Sequence, residues 1–185
     1  MIKKYDFKNL ISLEENINCI KVIDQLFESG NWNKNIPHYQ TWLDLFSYEE
    51  FYKLKHSFIF SCFSYLNKEV DYIFPIKSWC YMNFHSYQIT QDRETHWHSH
   101  CEEHDKKLSG IFYLHNPKDV SDYESSGTEF KEFPNIIPED FCWFIHPAHL
   151  VHRPGKIQSD SKRYVIAAHF KYVDDVPNKN NFKYR

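Results

Sequence analysis

The period of the apolar residues changes near Val70, and that change limits the architecture more than any other feature of the chain. Before it, apolar residues recur at helical spacing. Leu13, Ile17, Ile20, Ile23 and Phe27 form one stripe, opened by a Ser12–Glu15 capping-box pattern and closed by Gly30, which predicts a helix from Ser12 to Glu28. A loop rich in Asn and Pro runs through Pro37. A second stripe (Phe51, Leu54, Phe58, Cys62, Tyr65) predicts a helix from about Ser47 to Asn67, with Ser47 and Glu50 as its capping pair. After Val70 the texture becomes short aromatic and β-branched runs, with strands expected near 72–75, 78–90, 94–100, 108–115, 127–133, 141–146, 150–153 and 162–173. Helices first and strands afterwards give a mainly β chain with N-terminal helices packed outside a sandwich or barrel. One domain over 1–185 is expected, helical over 1–68 and β over 70–173, with a loosely ordered tail after Val176.

Composition narrows the classes. Aromatics make up 18% of the chain, and the 16 Phe and 13 Tyr suit a barrel interior filled by large rings. With only four glycines, Gly127 and Gly155 are expected to mark tight turns. Lys+Arg 22 against Asp+Glu 25 gives a net charge of −3, so no strongly basic face is implied and a nucleic-acid partner is disfavoured. Five cysteines (Cys19, Cys62, Cys80, Cys101, Cys142) are scattered and odd in number, which argues for a reducing compartment and against a disulfide framework or zinc ribbon. No apolar leader opens the sequence, and the run around Phe58–Tyr65 is too short to span a bilayer. A cytoplasmic protein with no membrane association is expected.

Seven of the 12 histidines fall in two clusters, His96, His98, His100 and His104 in one and His146, His149 and His152 in the other. On a strand, residues two apart point to one side, so a His-x-His pair can put two imidazoles on one ion. A third from a distant strand leaves the other coordination positions open, which is the logic of a catalytic metal centre. His98, His100 and His152 are the candidate ligands. His104 and His115 read better as solvated strand-edge residues. The ligands need partners that fix their tautomers, for which Asp140, Glu102 or backbone carbonyls are candidates.

Arg163 opens the last expected strand, on the face of Val165 and Ala167. A guanidinium aimed into a barrel is costly unless paired with an anion. A dicarboxylate meets that need through a bidentate contact.

With these residues in place, the chain resembles the Fe(II)- and 2-oxoglutarate-dependent oxygenases, which are built on a double-stranded β-helix, a jelly-roll of cupin-like form. Within them it is most similar to a bacterial and phage group with His-x-His in place of His-x-Asp. The resemblance runs from Tyr39-Gln40-Thr41 to Ser78-Trp79, then through His98-Ser99-His100, the strand from Leu108 to Leu114, the run from Phe144 to His152, and Arg163. It implies that Fe(II) is held by His98, His100 and His152. It also implies that 2-oxoglutarate is the cosubstrate, its far carboxylate bound by Arg163 with help from Tyr113. The implied reaction is hydroxylation of a C–H bond with release of succinate and carbon dioxide. Having His100 where the family has aspartate removes one negative charge from the metal.

A second register competes. His96, His98, Glu103 and Gly110, with His152, also resemble the cupin metal motifs, which imply an isomerase or a cosubstrate-free dioxygenase. A third possibility is a non-catalytic jelly-roll that binds a metabolite or protein. The substrate class stays open between a peptide and a small molecule. Trp79, Tyr81, Phe84 and Trp143 are pocket candidates whose ordinary role is core. Oligomeric state is not legible.

Overall fold

A computed structural model describes residues 1–33, 39–41, 43–68, 70–72, 76–83, 97–119, 123 and 126–173. In chain order these form β1 (Lys3–Asp6), α1 (Leu13–Glu28), β2 (Trp32–Asn33), β3 (Tyr39–Thr41), α2 (Tyr52–Leu66), β4 (Asp71–Tyr72), β5 (Lys77–Asn83), β6 (Lys107–His115), β7 (Thr128–Phe130), β8 (Cys142–Pro147), β9 (His152–Pro154) and β10 (Arg163–Val173). The larger sheet runs β1-β8-β6-β10-β5-β3-β2, with β4 added on β10, and the smaller one is β7-β9. All of their pairings are antiparallel. The mainly β expectation and the two helices hold. No described helix is long and apolar enough to cross a membrane.

Helix α1 begins as expected: Ser12 accepts from the Glu15 N–H while the Glu15 carboxylate accepts from Ser12 N–H, and Gly30 beyond its end takes φ +78°. Helix α2 does not begin at Ser47. Residues Leu45–Ser47 and Glu49–Phe51 form two 3-10 turns, and the α-helix starts at Tyr52. The cause is Asp44, whose carboxylate accepts from Phe46 N–H at 3.2 Å and Ser78 N–H at 3.0 Å, tying this segment to β5. Ser47 donates to Asp44 O at 2.6 Å instead of capping a helix.

Alternation along the strands sorts side chains onto two faces of the larger sheet. Cys80, Met82, Phe112, Trp143, Ile145, Ile166, Ala168 and Phe170 face the helices and join Leu54, Phe58 and Ile23 in the larger core. Phe58 is fully buried, worth about 2–3 kcal/mol of transfer free energy. Its ring lies against Gly110, where an added Cβ would sit 2.5 Å from Phe58 Cε2. Trp143 Nε1 donates to Ser57 Oγ at 2.9 Å, so the indole N–H that α2 buries is satisfied. The opposite face carries Tyr81, Ile111, Tyr113, Phe144 and Val165, which meet Phe130 from the smaller sheet and Leu150 from the turn before β9. Among the described residues, more of the buried large rings lie between helices and sheet than between the sheets.

Among the expected strands, those near 78–90, 108–115, 141–146 and 162–173 supply β5, β6, β8 and β10 in the middle of the larger sheet, the part of the first beyond Asn83 lying outside the described residues. β1 and the pair β2–β3 were not expected. All five cysteines are free thiols.

Candidate metal centre

The site lies on the inter-sheet face, built from two chain segments that meet as neighbours. His98 and His152 form an antiparallel bridge, with His98 N–H donating to His152 O at 3.0 Å and His152 N–H to His98 O at 2.9 Å. Directly opposed residues send their side chains to one side of the ladder. His100, two positions on, returns to that side and is held by its N–H donating to Ala148 O at 2.9 Å. The ligand atoms of His98, His100 and His152 all lie within 4.8 Å of one another. Their ring centroids are 5.0, 4.7 and 5.0 Å apart. Imidazole–metal bonds of about 2.1 Å need donor atoms some 3–4 Å apart, so small ring rotations close the set on one ion.

Electrostatics suit ligation. His152 Nδ1–H donates to Leu150 O at 2.8 Å, which leaves the Nε2 lone pair free for a metal. Of the expected tautomer partners, a backbone carbonyl takes this role, whereas Asp140 accepts from Lys118 at 3.1 Å. Burial is the main cause that holds these imidazoles neutral, lowering His152 to about 4 and driving His100 far below the usual histidine range. His98 is exposed, His100 half-buried and His152 buried, so the cluster opens towards solvent on the His98 side. His104 and His115 are exposed, as expected.

Two further histidines crowd the trio. His146, fully buried on β8, lies 5.1 Å from His152 ring to ring, and its Nδ1 is bonded to Pro147 O at 2.8 Å. His169 on β10 lies 4.4 Å from His100 and 4.7 Å from Trp79. Burial lowers both, each to about 3. Among the described residues the buried Nε2 atoms of both have no hydrogen-bond partner. His169 was missed by the sequence reading, yet the signal was present: the alternation that puts Arg163, Val165 and Ala167 on one face puts His169 there as well.

Arg163 is fully buried. Its Nη2 donates to Gly155 O at 3.0 Å, and its guanidinium carbon lies 5.8 Å from the Tyr81 ring centre. Tyr113, also fully buried, shares a 2.8 Å hydrogen bond with Thr128 Oγ1. Thr128 and Phe130 share a face of β7, where Phe130 pairs with His152. Arg163, Tyr81, Tyr113 and Thr128 thus make a polar floor beside the imidazoles. The two glycines serve it. Gly155 N–H donates to Gly127 O at 2.7 Å, and a Cβ on Gly127 would stand 1.8 Å from Ile136 O. Gly127 is required by this close backbone approach, not by a turn with positive φ.

In the competing register, Glu103 is exposed and does not join the metal-ligating group, while His96 lies outside the described residues, as does Phe84. A second group, Asp6, Glu139 and Cys142, also brings three ligand atoms together. Glu139 there is already neutralised by Lys4 at 2.7 Å and Lys8 at 3.1 Å. Trp143 belongs to the helix-side core, and Trp79 to the site.

No family model matches the chain, and no curated protein matches it. Solved structures do. A viral collagen prolyl hydroxylase from Paramecium bursaria Chlorella virus 1 superposes with a TM-score of 0.61 at 14% identity, covering 94% of this chain and 90% of its own. HygX from Streptomyces hygroscopicus, solved with nickel and 2-oxoglutarate bound, gives 0.62 at 10% identity, covering 92% of this chain and 82% of its own. The non-heme alpha-ketoglutarate-dependent epimerase SnoN of nogalamycin biosynthesis gives 0.61 at 14% identity, covering 100% and 88%. At these identities the likeness establishes the fold, which this chain shares with 2-oxoglutarate-dependent enzymes.

Proposed function

We propose that the chain is an Fe(II)- and 2-oxoglutarate-dependent oxygenase that hydroxylates a C–H bond of a small-molecule or peptide substrate. The observation that carries this reading is the pairing of two features on one face: three convergent imidazoles and, beside them, a buried guanidinium within a hydroxyl-lined floor. Imidazole donors suit iron among the divalent metals, and three of them leave coordination positions for a chelating cosubstrate. His98, His100 and His152 are the proposed ligands. Bound iron would supply the activation of dioxygen, coupled to oxidative decarboxylation of 2-oxoglutarate to succinate and carbon dioxide.

The chain's own residues would do the rest. Arg163 would grip the far carboxylate of 2-oxoglutarate, with Tyr113 and Thr128 donating beside it. Such a contact also offsets the desolvation of the buried guanidinium. Ile111, Phe144 and Val165 shield the floor from water. With no carboxylate among the three ligands, the iron keeps its full double charge, which strengthens its hold on an anionic chelator. The His-x-His pattern agrees with the bacterial and phage group that the sequence resembles. Epimerisation and hydroxylation both occur on this fold; hydroxylation is the reading proposed.

The test is succinate formation from 2-oxoglutarate under air with Fe(II). It should need both additions, disappear in His98→Ala and His100→Ala, and persist in Glu103→Ala. Retained iron in His100→Ala combined with its loss in Glu103→Ala would replace this reading by the cupin register.

A further inference from the structure

The register of the central strands places three lysines on the site face at one end of the sheet. Lys77 on β5 pairs with His169 on β10, and His169 pairs with Ser109 on β6. One step further out, Lys171 on β10 pairs directly with Lys107 on β6. Lys77, Lys171 and Lys107 alternate with Ser78, Phe170 and Leu108, which are buried on the helix side, so all three belong to the face of His169 and Trp79. Strands lie about 4.8 Å apart, so the three side chains leave the sheet close together, and the charges of Lys77 and Lys171 both act on Lys107. That end of the sheet, the mouth, adjoins the metal centre: Lys107 Nζ donates to His100 O at 3.1 Å, and the His100 and His169 rings are 4.4 Å apart.

Like charges directly opposed on a ladder are destabilising. Among the described residues none of the three forms an ion pair with a carboxylate. Asp105, two positions before Lys107, offsets part of the field there. The chain carries a net charge of −3, so this grouping is a local departure from its average. A cost of this kind is offset when the three charges meet an anion.

We propose that Lys77, Lys107 and Lys171 form the binding site for an anionic group of the substrate, a phosphoryl or multiple-carboxylate group. It would be held at the mouth so that the remainder of the molecule reaches the three-histidine centre past Trp79 and His169. This rests on the oxygenase reading for what happens at the metal, but the anion site itself does not. Ammonium groups act as point charges towards such anions, without the planar fork that Arg163 offers a single carboxylate.

The probes are inorganic pyrophosphate and citrate, titrated calorimetrically into the full chain without metal and compared with the Lys77→Gln/Lys171→Gln double variant. Neither altered side chain is buried, so folding should be unaffected, which circular dichroism checks. Saturable binding of at least one probe, weakened roughly tenfold or more in the double variant, supports the proposal. Which of the two binds more tightly separates a phosphoryl from a carboxylate source. Lys53→Gln, remote from the mouth, should bind as the parent does. Equal affinity in parent and double variant overturns the proposal, as does absence of saturable binding at millimolar probe. The Fe(II)–2-oxoglutarate chelate should form equally well in both proteins. Its absence from both would refute the oxygenase reading while leaving the anion result standing.

Discussion

Gly127→Ala tests how the polar floor is held. The new Cβ would stand 1.8 Å from Ile136 O, 2.9 Å from Ile136 C and 3.0 Å from Pro138 Cδ. An ordinary contact needs about 3.4 Å, and two of these atoms are backbone, so no rotamer change relieves the clash. The backbone must separate by roughly 1.5 Å, which breaks or stretches three hydrogen bonds. These are Thr128 N–H to Ile136 O at 3.2 Å, Ile136 N–H to Thr128 O at 2.8 Å, and Gly155 N–H to Gly127 O at 2.7 Å. At about 1 kcal/mol each the loss is about 3 kcal/mol. For a chain of this size that lowers Tm by roughly 6–12 °C. Gly155 also anchors Arg163, and Thr128 anchors Tyr113. 2-Oxoglutarate affinity should therefore fall in parallel, while iron binding by the three histidines falls less. Urea unfolding followed by tryptophan fluorescence gives the stability, and anaerobic titration gives both affinities. A loss below about 0.5 kcal/mol, with unchanged 2-oxoglutarate affinity, would refute the argument that this approach needs glycine.

Gly110→Ala should cost about 1–3 kcal/mol by overpacking against the Phe58 ring, and a Phe58→Leu background should recover part of it, measurable as a double-mutant cycle. Trp143→Phe should cost about 1–2 kcal/mol in urea unfolding, because the Ser57 hydroxyl under α2 loses the indole donor. Hydrogen bonds from Lys4 and Lys8 push the Glu139 carboxyl down to about 2. Since the folded value lies below the unfolded one of 4.5, the stabilisation is present above about pH 4.5 and is lost as pH falls towards 2. Solvent screening at this part-exposed group keeps it to about 1 kcal/mol or less, so Glu139→Gln should flatten the acid limb of a stability–pH curve by that amount.

Helix α1 was legible because its capping box and glycine stop are local signals within twenty residues of one another. The stripe misplaced its inward face, however: Leu13 and Ile17 are exposed, while Asn16, Cys19, Val22, Ile23 and Leu26 are buried. The start of α2 was not legible. Ser47 and Glu50 have capping-box spacing, but Asp44 bonds to Ser78 on a strand more than thirty residues away and draws the chain into 3-10 turns. β1 escaped notice since Lys3–Asp6 is a short, mostly polar edge whose strand state comes from pairing with β8. At the site, the His98–His100 pair follows from two-residue periodicity. Its convergence with His152 is a long-range pairing that spacing could only suggest. His169 and the lysine mouth were readable in principle, because extending the face of Arg163 by two-residue steps reaches His169 and Lys171. What no single strand reveals is that Lys107 and Lys77 stand beside them, which depends on the register of three strands.

The most direct measurement is an anaerobic titration of Fe(II) and 2-oxoglutarate, watching the visible charge-transfer band of their chelate. The account predicts a band that saturates at one iron and one 2-oxoglutarate per chain. It should vanish in His152→Ala and need much higher 2-oxoglutarate in Arg163→Gln. Tightly bound iron with no band at saturating 2-oxoglutarate would contradict it.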